Sequence, residues 1–330
     1  MTASLTDPWD LGGVPLPNRV VLAPLAGIGN WFVRLQAKRY GAGLTVSEMV
    51  SSHAVYYRNE RTCRELLRIH PDEHPVSVQL FGSDPDVMAS AAECVAAAGA
   101  DLIDINMGCP VPKVCKTGAG AALLEDPARA VAVARAAGRG SGLPVTVKLR
   151  TGLRPGDRGG VEVARALAAA GVVAGLAIHP RAASQRHSGK ANYGLAASLV
   201  AELPVPVLIS GGLRTADAAR EAFAVTGASG VLLARGSLGN PWLFSELLGL
   251  GSGEPTREEI VSELHWVIER AVEHLGEERA TRYLRKFYPW YIERLGGTRH
   301  EQAALQAALQ RAPSLSEARG LFAPAAALSA

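Results

Sequence analysis

Short apolar runs recur along the chain and are separated by Ala-rich segments with helical periodicity. Runs of Val, Ile and Leu without polar alternation are typical of strands buried on both faces, and such strands form parallel sheets when they alternate with helices. Eight of these units predict an α/β fold, a closed (β/α)8 TIM barrel. The predicted strands are Val20–Leu22, Leu44–Val46, Val76–Val78, Leu102–Ile105, Val145–Val147, Leu176–Ile178, Val207–Ile209 and Val231–Leu233.

Residues that favour helix starts stand before three of the Ala-rich segments. Asp84 and Asp126 each precede a proline, and Thr215 precedes an Ala-rich run. A side-chain oxygen in this position accepts hydrogen bonds from the first helical turn, and that turn tolerates proline. These three segments are therefore predicted to be helices that begin at defined residues.

The strand pattern ends near Leu248, and the chain changes character after it. The stretch 249–255 is rich in glycine and polar residues and is predicted to be a linker. Residues 256–330 show helical periodicity and no strand-like run. We therefore expect a barrel domain at 1–248 followed by a small C-terminal all-helical domain at 256–330. A chain of 330 residues is long enough for both.

Composition and charge exclude several classes of protein. With 48% hydrophobic and 20% charged residues, the chain has the composition of a compact globular protein. No apolar run approaches the roughly 18 residues that cross a bilayer, and no signal-peptide pattern is present, so we expect a cytoplasmic location and no membrane partner. The cysteines show no CxxC spacing and the histidines no ligand spacing, which argues against disulfides and a metal site. Nothing in the sequence indicates a large self-complementary surface, so we expect a monomer.

Reactive and polar residues follow the predicted strands, at the end of a barrel where enzymes assemble their sites. In the run Asn106-Met107-Gly108-Cys109-Pro110, Gly108 allows a sharp turn and Pro110 fixes the next φ, so Asn106 and Cys109 would be held at a loop rim. The further strand-end residues are Gln79, Lys148, Arg150, His179, Arg181, Ser210, Gly211, Gly212, Ala234 and Arg235. A structural role explains any one of them, but their succession along the chain indicates an active site.

Two glycine-containing turns, Ser210–Gly212 and Ala234–Gly236, end strands seven and eight, the usual place for a phosphate in a barrel. Arg235 adds a positive charge for a dianion. The phosphate belongs either to a substrate or to flavin mononucleotide (FMN). Gln79 favours the flavin because its amide can bond the amide edge of the ring, and Lys148 because it can place a cation beside N1–C2=O of the reduced ring. An internal ion pair of Lys148 inside the barrel is the alternative.

Further residues complete the predicted site. The segment Pro24-Leu25-Ala26 offers the flavin ring a flat apolar wall. Cys109 is predicted to be a general acid, since a thiol with a pKa of roughly 8.5 is mostly protonated at neutral pH and can donate to carbon. A small buried hydrophobe is the alternative for this cysteine. His179 is a candidate for a hydrogen bond to a substrate carbonyl or to the flavin, whereas Cys115 is either packed or an accessory thiol.

At these residues the chain resembles the tRNA-dihydrouridine synthases, most of all their B-type bacterial branch. The shared motifs fall in family order and at family spacing over essentially the whole chain. They are Ala23-Pro24-Leu25-Ala26-Gly27, Thr45-Val46-Ser47-Glu48-Met49, the run from Asp104 to Pro110, Lys148-Leu149-Arg150-Thr151-Gly152, Gly239-Asn240-Pro241-Trp242 and Arg285-Lys286-Phe287-Tyr288-Pro289-Trp290-Tyr291. The chain departs from the family pattern at the phosphate turns, where the family commonly has Asn-Gly-Asp and Gly-Arg instead of Ser210-Gly211-Gly212 and Ala234-Arg235.

The resemblance implies a flavin barrel joined to a helical tRNA-binding domain, which reduces the C5–C6 bond of uridine in tRNA with NADPH as the usual electron source. It implies that Cys109 protonates C5 after hydride passes from flavin N5 to C6. The implied FMN contacts are Pro24, Leu25, Ala26, Gln79, Lys148, His179, Ser210, Gly211, Gly212, Ala234 and Arg235. The implied substrate contacts are Asn106, Arg150, Arg181, Arg282, Arg285 and Lys286. The target uridine must leave the tRNA stack to reach such a pocket.

A basic patch lies in the predicted helical domain. Arg282, Arg285 and Lys286 are spaced i, i+3 and i+4, which predicts one helical face that can meet phosphates. The aromatic residues within 283–291 form an apolar stripe that is predicted to be domain core. Pro289 is predicted to kink this helix, because it removes a backbone donor.

Two other functions stay open from the sequence. An FMN barrel that acts on a free pyrimidine, like a dihydroorotate dehydrogenase, shares the same core, although a small substrate does not need a basic helical tail. A non-catalytic paralogue that binds tRNA is the second alternative. The altered phosphate turns favour it, whereas Gln79, Cys109, Lys148 and Arg235 oppose it. The presence of bound flavin distinguishes this last alternative from the other two.

Overall fold

The computed structural model describes residues 3–251 and 254–322. Met1 and Thr2, residues 252–253 of the predicted linker, and residues 323–330 of the predicted helical domain lie outside the described residues. The chain divides after Gly236 into two compact units. This division assigns residues 237–248 to the second unit, whereas the sequence pattern assigned them to the barrel domain. The predicted domain limits stay a prediction.

The first unit is a closed barrel of parallel strands. The strands in chain order are β1 (Trp9–Leu11), β2 (Val14–Leu16), β3 (Val20–Leu22), β4 (Leu44–Val46), β5 (Val50–Ser51), β6 (Val76–Phe81), β7 (Leu102–Met107), β8 (Val145–Arg150), β9 (Gly175–His179), β10 (Val207–Ser210) and β11 (Gly230–Leu233). Strands β3, β4 and β6 to β11 form the ring, which is completed where β4 pairs with β6 and β11 pairs with β3. All eight predicted strands and the predicted TIM-barrel fold are confirmed.

Helices cover the outer face of the barrel and form the second unit. They are α1 (Trp31–Arg39), α2 (Ser52–Tyr56), α3 (Pro85–Ala97), α4 (Pro112–Cys115), α5 (Pro127–Ser141), α6 (Gly159–Ala169), α7 (Tyr193–Glu202), α8 (Ala216–Thr226), α9 (Trp242–Leu248), α10 (Arg257–Leu275), α11 (Glu277–Leu284), α12 (Tyr288–Arg294), α13 (Arg299–Arg311) and α14 (Leu315–Phe322). The predicted N-caps Asp84, Asp126 and Thr215 are confirmed, because each side chain accepts a hydrogen bond from the first turn of its helix.

A β-hairpin that the strand pattern did not predict covers the N-terminal end of the barrel. Strands β1 and β2 pair antiparallel around Gly12 and Gly13, which both have a positive φ. Leu11 and Leu16 are buried and belong to one apolar cluster with inward-facing strand residues. These are Val21, Ala23, Leu44, Val46, Leu102, Ala177, Leu208 and Leu232. We call this cluster the barrel floor.

The alternation of side chains along the strands decides which residues point into the barrel. Val78, Leu80, Ile103, Ile105, Val147 and Leu149 belong to a second apolar cluster, which also contains residues of the surrounding helices. Because successive side chains of a strand point to opposite faces, Gln79, Asp104 and Lys148 point inward. The interior is therefore apolar at the floor and polar towards the C-terminal ends of the strands, which we call the barrel mouth.

The helix predicted through the basic patch is divided in the structure. Helix α11 ends at Leu284 and α12 begins at Tyr288, so the prediction of one kinked helix is wrong. Pro289 lies in the first turn of α12, where a missing N–H costs no helical hydrogen bond. In the predicted aromatic stripe, Phe287 and Tyr291 are buried core residues, whereas Tyr283 and Trp290 are half-buried.

Three further observations concern the described residues as a set. Within 3–251 and 254–322, no helix is long and apolar enough to cross a membrane. The same residues contain no group of three or more His, Cys, Asp or Glu side chains that could hold a metal ion. All four cysteines are free thiols.

Candidate active site

The segment after β7 presents Cys109 at the barrel mouth. Asn106 Oδ1 accepts hydrogen bonds from the backbone N–H groups of Gly108 (3.1 Å) and Cys109 (2.9 Å), which turns the chain sharply where the strand ends. From the neighbouring strand, Arg150 Nε donates to the carbonyl oxygen of Gly108 (3.0 Å). The thiol is half-buried, and burial raises its pKa above the usual value. Cys109 is therefore a protonated thiol at neutral pH.

The loop that follows Cys109 is anchored on both sides. Ser83 Oγ donates to the carbonyl oxygen of Thr117 (2.6 Å), and Cys115 Sγ donates to that of Cys109 (3.4 Å). Gly120 has a φ of +62°, and a Cβ at this position would lie 2.7 Å from the Cys109 carbonyl oxygen. The loop therefore returns tightly against the residue that carries the thiol, and Cys115 is one of its contacts.

A layer of polar side chains lies inside the barrel next to this loop. Asp104 accepts hydrogen bonds from Gln79 Nε2 (2.5 Å) and Thr146 Oγ1 (2.6 Å). Gln79 Oε1 accepts in turn from Asn106 Nδ2 (2.8 Å). Burial raises the pKa of Asp104 to about 6, although the Gln79 and Thr146 hydrogen bonds and the charge of Lys148 act in the opposite direction. A continuous chain of hydrogen bonds thus runs from Thr146 to the cysteine loop.

Lys148 extends from β8 into the same interior. Its Nζ donates to Ser210 Oγ over 3.4 Å, a long contact. Burial, followed by the charge of Arg150, lowers the pKa of Lys148 to about 8, while the charge of Asp104 acts in the opposite direction. Among the described residues no carboxylate forms an ion pair with Lys148, so the ion-pair alternative is not realised. The amine is a half-buried cation whose charge is incompletely compensated.

Two histidines lie among cationic side chains at the barrel mouth. His179 Nε2 accepts a hydrogen bond from Arg181 Nη1 (3.0 Å), because a guanidinium only donates, and the ring proton of His179 is therefore on Nδ1. Burial, followed by the neighbouring cations, lowers the pKa of His179 to about 2. Burial, followed by the charge of Arg235, lowers the pKa of His187 to about 4. Both rings are neutral at pH 7, and the mouth favours an anion.

The turn after β10 brings the backbone close to these cations. Gly211 and Gly212 have φ values of +94° and +93°. A Cβ at position 211 would clash with His179 Cδ2 and lie 3.1 Å from Arg181 Nη1, so only glycine fits. Tyr193 Oη donates to the carbonyl oxygen of Gly211 (2.7 Å) and holds the turn in place. A tight backbone turn beside an arginine suits a phosphate dianion.

The segment after β3 forms another part of the rim. Leu25 is buried, Pro24 is half-buried and Ala26 is exposed. The backbone N–H of Gly29 donates to the carbonyl oxygen of Leu25 (2.7 Å), and that of Gly27 donates to Glu48 Oε2 (2.8 Å). Glu48 follows β4, so the predicted apolar wall is a tight turn that a neighbouring strand end holds.

A family model described as Dihydrouridine synthase (Dus) matches residues 21–323, which is most of the chain. The chain belongs to the dihydrouridine synthase family. It is 37% identical over 301 residues to tRNA-dihydrouridine synthase B of Pseudomonas aeruginosa, with 89% of each protein covered. It is 35% identical over 320 residues to probable tRNA-dihydrouridine synthase 1 of Synechocystis, with 96% of this chain and 88% of the relative covered. The predicted family and the predicted enzyme class, a flavin-dependent oxidoreductase, are confirmed.

Solved structures share the fold at low sequence identity. Morphinone reductase superposes with a TM-score of 0.56 at 16% identity, and 79% of this chain and 93% of that chain are covered. Histamine dehydrogenase from Rhizobium sp. 4-9 superposes with a TM-score of 0.56 at 14% identity, and 72% of this chain and 47% of that chain are covered. At these identities the likeness concerns the TIM barrel alone.

Most site residues predicted for this dihydrouridine synthase family member lie in the first unit, at strand ends of the barrel mouth. Gln79 is completely buried, and both ends of its amide already bond Asp104 and Asn106. Arg150 is buried and also donates to the carbonyl oxygen of Ala182 (3.1 Å). The roles assigned to these side chains stay predictions.

The three predicted tRNA contacts of the tail lie in the second unit. Arg282 and Lys286 are exposed, whereas Arg285 is half-buried. Arg282 Nη1 donates to Glu278 Oε1 (2.9 Å), and Lys286 Nζ lies 4.1 Å from the centre of the Tyr283 ring. Their contact with tRNA stays a prediction.

Sequence reasoning assigned no role to four residues of the barrel mouth: Asp104, Thr146, His187 and Tyr193. Asp104 was detectable, because it lies two residues before Asn106 and so on the same strand face. Thr146 was detectable in the same way from Lys148. The sequence carries no comparable signal for His187 and Tyr193, which lie outside the strands and reach the mouth through tertiary packing.

Proposed function

We propose that this chain is a tRNA-dihydrouridine synthase that reduces the C5–C6 double bond of uridines in tRNA, in the cytoplasm, with FMN as cofactor and NADPH as electron donor. The observation that carries the proposal is a neutral thiol, Cys109, held beside a pocket of cations in a member of the dihydrouridine synthase family. The names of the relatives from Pseudomonas aeruginosa and Synechocystis support tRNA as the substrate.

The residues of the barrel mouth fit FMN. Gly211 and Gly212 form a tight backbone turn, and the guanidinium of Arg181 lies beside it, so a phosphate would meet a donor of opposite charge. Arg235 is a second cation of this region, and it interacts electrostatically with Arg181. Lys148 is a half-buried amine that bonds only a hydroxyl, which suits a neighbour that gains negative charge. When bound, the reduced flavin supplies the hydride.

Cys109 is the proton donor in this proposal. Its raised pKa keeps the thiol protonated at neutral pH, and the backbone hydrogen bond to Asn106 fixes its position. His179 does not compete for this role, because it is neutral and its Nε2 already accepts from Arg181. The charge of Arg150 lowers the pKa of Cys109 and thereby stabilises the thiolate that remains after the proton has moved to C5.

The proposal is tested by nucleoside mass spectrometry. Purified protein is incubated with FMN, NADPH and tRNA that lacks dihydrouridine, and the product is measured for the wild type and for Cys109→Ala. We expect product from the wild type and a loss of about 10²–10⁴-fold in the variant, which lacks its general acid. Cys94→Ala is the matched control, because Cys94 is a half-buried cysteine of α3 that packs against the second apolar cluster.

Three outcomes would contradict the proposal in whole or in part. Equal product from wild type and Cys109→Ala would remove the cysteine from the role of acid. Reduction of a free pyrimidine such as orotate, with no product on tRNA, would favour the dihydroorotate dehydrogenase-like alternative. A protein that binds tRNA but never retains flavin would favour the non-catalytic paralogue.

The role of the tail in binding tRNA has its own test. Arg282 is exposed and is spaced to meet a phosphate, so Arg282→Ala should weaken tRNA binding and reduce the slope of log affinity against log salt by about one unit or less. Arg257→Ala removes the same charge from another exposed position of the second unit and is the matched control. If both substitutions weaken tRNA binding equally, the effect is one of net charge and Arg282 is not a specific tRNA contact.

A further inference from the structure

We infer that Asp104 is a positioning residue, which acts through Gln79 and Asn106 to fix the backbone N–H groups that orient Cys109. The inference rests on the proposed function in one respect, the use of Cys109 as the acid. It concerns a side chain that forms no hydrogen bond with Cys109, and it assigns a common purpose to hydrogen bonds that are otherwise separate.

The chain of hydrogen bonds has a definite geometry. Asp104 Oδ2 accepts from Gln79 Nε2 (2.5 Å), Gln79 Oε1 accepts from Asn106 Nδ2 (2.8 Å), and Asn106 Oδ1 accepts from the N–H groups of Gly108 (3.1 Å) and Cys109 (2.9 Å). The other carboxylate oxygen of Asp104 accepts from Thr146 Oγ1 (2.6 Å). Gln79 and Asp104 have 0% and 3% exposed surface, so water does not substitute for either partner.

The ionised carboxylate of Asp104 determines the direction of the whole chain. A carboxylate only accepts hydrogen bonds, whereas a primary amide has one donating and one accepting end. Facing Asp104, Gln79 must therefore present its NH2 group, and its oxygen must face Asn106. Asn106 must answer with its own NH2 group, and this leaves its oxygen towards the N–H groups of Gly108 and Cys109. Asp104 thus fixes the orientation of the Gln79 amide, and Gln79 in turn fixes the orientation of the Asn106 amide.

The opposite direction would be damaging at the cysteine loop. If both amides turned over, the NH2 group of Asn106 would face the N–H groups of Gly108 and Cys109, and four donors would meet without an acceptor. Unpaired buried donors are costly, so the loop would leave the strand end. Asp104 excludes this state from a distance of three hydrogen bonds, which is why we assign it the positioning role.

A charge swap tests this inference. In Asp104→Asn, position 104 can present either its oxygen or its NH2 group to Gln79, so both directions of the chain become accessible. In Gln79→Glu, two carboxylates face each other in a buried space. In the double variant, the carboxylate at position 79 is the acceptor-only group, the amide at position 104 donates to it, and Asn106 again has to donate towards it. The double variant therefore restores the original orientation of Asn106, with the negative charge at position 79 instead of position 104.

The readout is amide hydrogen exchange of the peptide 107–112, measured by mass spectrometry at pH 8 on full-length protein from which flavin has been removed. Pro110 and Pro112 carry no N–H, so within the peptide the amides of Gly108, Cys109 and Val111 report on the cysteine loop. Alkylation of Cys109 by iodoacetamide is followed on the same samples. Neither measurement uses tRNA, NADPH or turnover, so failure of the inference and failure of the proposed function are distinguishable.

We expect exchange in this peptide to be about fivefold faster in Asp104→Asn, at least as fast in Gln79→Glu, and close to the wild-type rate in the double variant. Alkylation of Cys109 should follow the same order. A merely structural role for Asp104 predicts that the double variant is worse than either single one. Wild-type exchange in Asp104→Asn, or no recovery in the double variant, would overturn the inference.

Two further variants keep the test decisive if Asp104→Asn does not fold. Thr146→Val removes a hydrogen bond from Asp104 but leaves its charge facing Gln79, so exchange of the peptide should stay at the wild-type rate. Asn106→Ala removes the acceptor itself and defines the fastest rate. A Thr146→Val rate as fast as that of Asn106→Ala would contradict the inference. Asp217→Asn is the control, because it makes the same carboxylate-to-amide change on a side chain with 97% exposed surface.

Discussion

The floor and the mouth of the barrel use the same strands but stabilise their interiors in opposite ways. At the floor, Leu11 and Leu16 of the hairpin close an apolar cluster that contains no titratable group. At the mouth, burial raises the pKa of Asp104 and lowers those of Lys148 and His179. Burying ionisable groups whose pKa values are shifted in this way lowers the stability of the folded protein. The floor therefore stabilises the fold, whereas the mouth destabilises it and holds the groups that carry the chemistry.

This contrast divides substitutions into two kinds. A truncated side chain at the floor leaves a cavity and lowers the free energy of unfolding without touching the reacting groups. A neutral side chain in place of a buried charge at the mouth removes a desolvation cost together with a function. The two ends should therefore respond in opposite directions when stability and activity are measured on the same variants.

The largest expected effect on stability is at the floor. Leu16→Ala should lower the free energy of unfolding by about 2–5 kcal/mol, because Leu16 is only 1% exposed and its neighbours are fixed in strands. Urea unfolding measures this change, and dihydrouridine formation per folded molecule should stay the same. Leu250→Ala, at a leucine with 69% exposed surface, should change stability by less than about 0.5 kcal/mol. A loss of specific activity in Leu16→Ala would break the division between the two ends.

A smaller and opposite effect is expected at Lys148. Its pKa in the folded protein is about 8 against an ordinary 10.5, so the folded protein binds fewer protons than the unfolded chain between these values. Stability therefore rises with pH across this window, and the cost of the charged amine is fully present below pH 8. Lys148→Met should be more stable than the wild type by about 2 kcal/mol at pH 7 while losing activity.

The control for Lys148 is the same comparison at pH 10. The advantage of Lys148→Met should shrink there, because the wild-type amine has lost most of its charge in the folded protein. Taking the difference between the two proteins cancels the cysteines and tyrosines that titrate in the same range. A variant that is less stable than the wild type at pH 7 would mean that the attraction to Asp104 outweighs burial.

The smallest expected effect compares two glycines with nearly the same φ angle. Gly211 at the mouth and Gly13 in the floor hairpin have φ values of +94° and +93°, but a Cβ at 211 meets His179 whereas one at 13 meets nothing within 4 Å. Both alanine variants should lose about 1–2 kcal/mol through backbone strain. Only Gly211→Ala should also lose bound flavin, measured by absorbance per protein. Equal flavin loss in both would show that the turn, and not the contact with His179, matters.

The sequence predicted the barrel well, because its strands are continuous apolar runs that alternate with helices. It missed the floor hairpin, because Asp10 and Pro15 stand in the middle of its three-residue strands and neither strand is a continuous apolar run. The Gly12-Gly13 pair between them was the available signal. It also missed the break between α11 and α12, because Pro289 in a first turn and Pro289 at a kink leave the same helical spacing in the flanking residues.

The candidate site was predicted in part, for reasons that follow from its construction. Cys109, Asn106 and Lys148 lie at or just after strand ends, and the barrel architecture makes such positions conspicuous. Asp104 lies deeper in its strand, where a single polar residue attracts less attention than a thiol. Tyr193 depends on a contact with the backbone of Gly211, which no local pattern encodes.

The floor hairpin has a consequence for the order in which the protein is made. Translation proceeds from the N-terminus, so Leu11 and Leu16 leave the ribosome before every strand of the ring. A Cβ at Gly175 would lie 2.9 Å from Leu11 Cδ1, and Gly175 belongs to β9, which is synthesised after more than half of the chain. Leu11 therefore completes its burial only after β9 has been made. Long-range contacts of this kind slow folding, and they leave apolar surface of the nascent chain prone to aggregation until the partner strand is made.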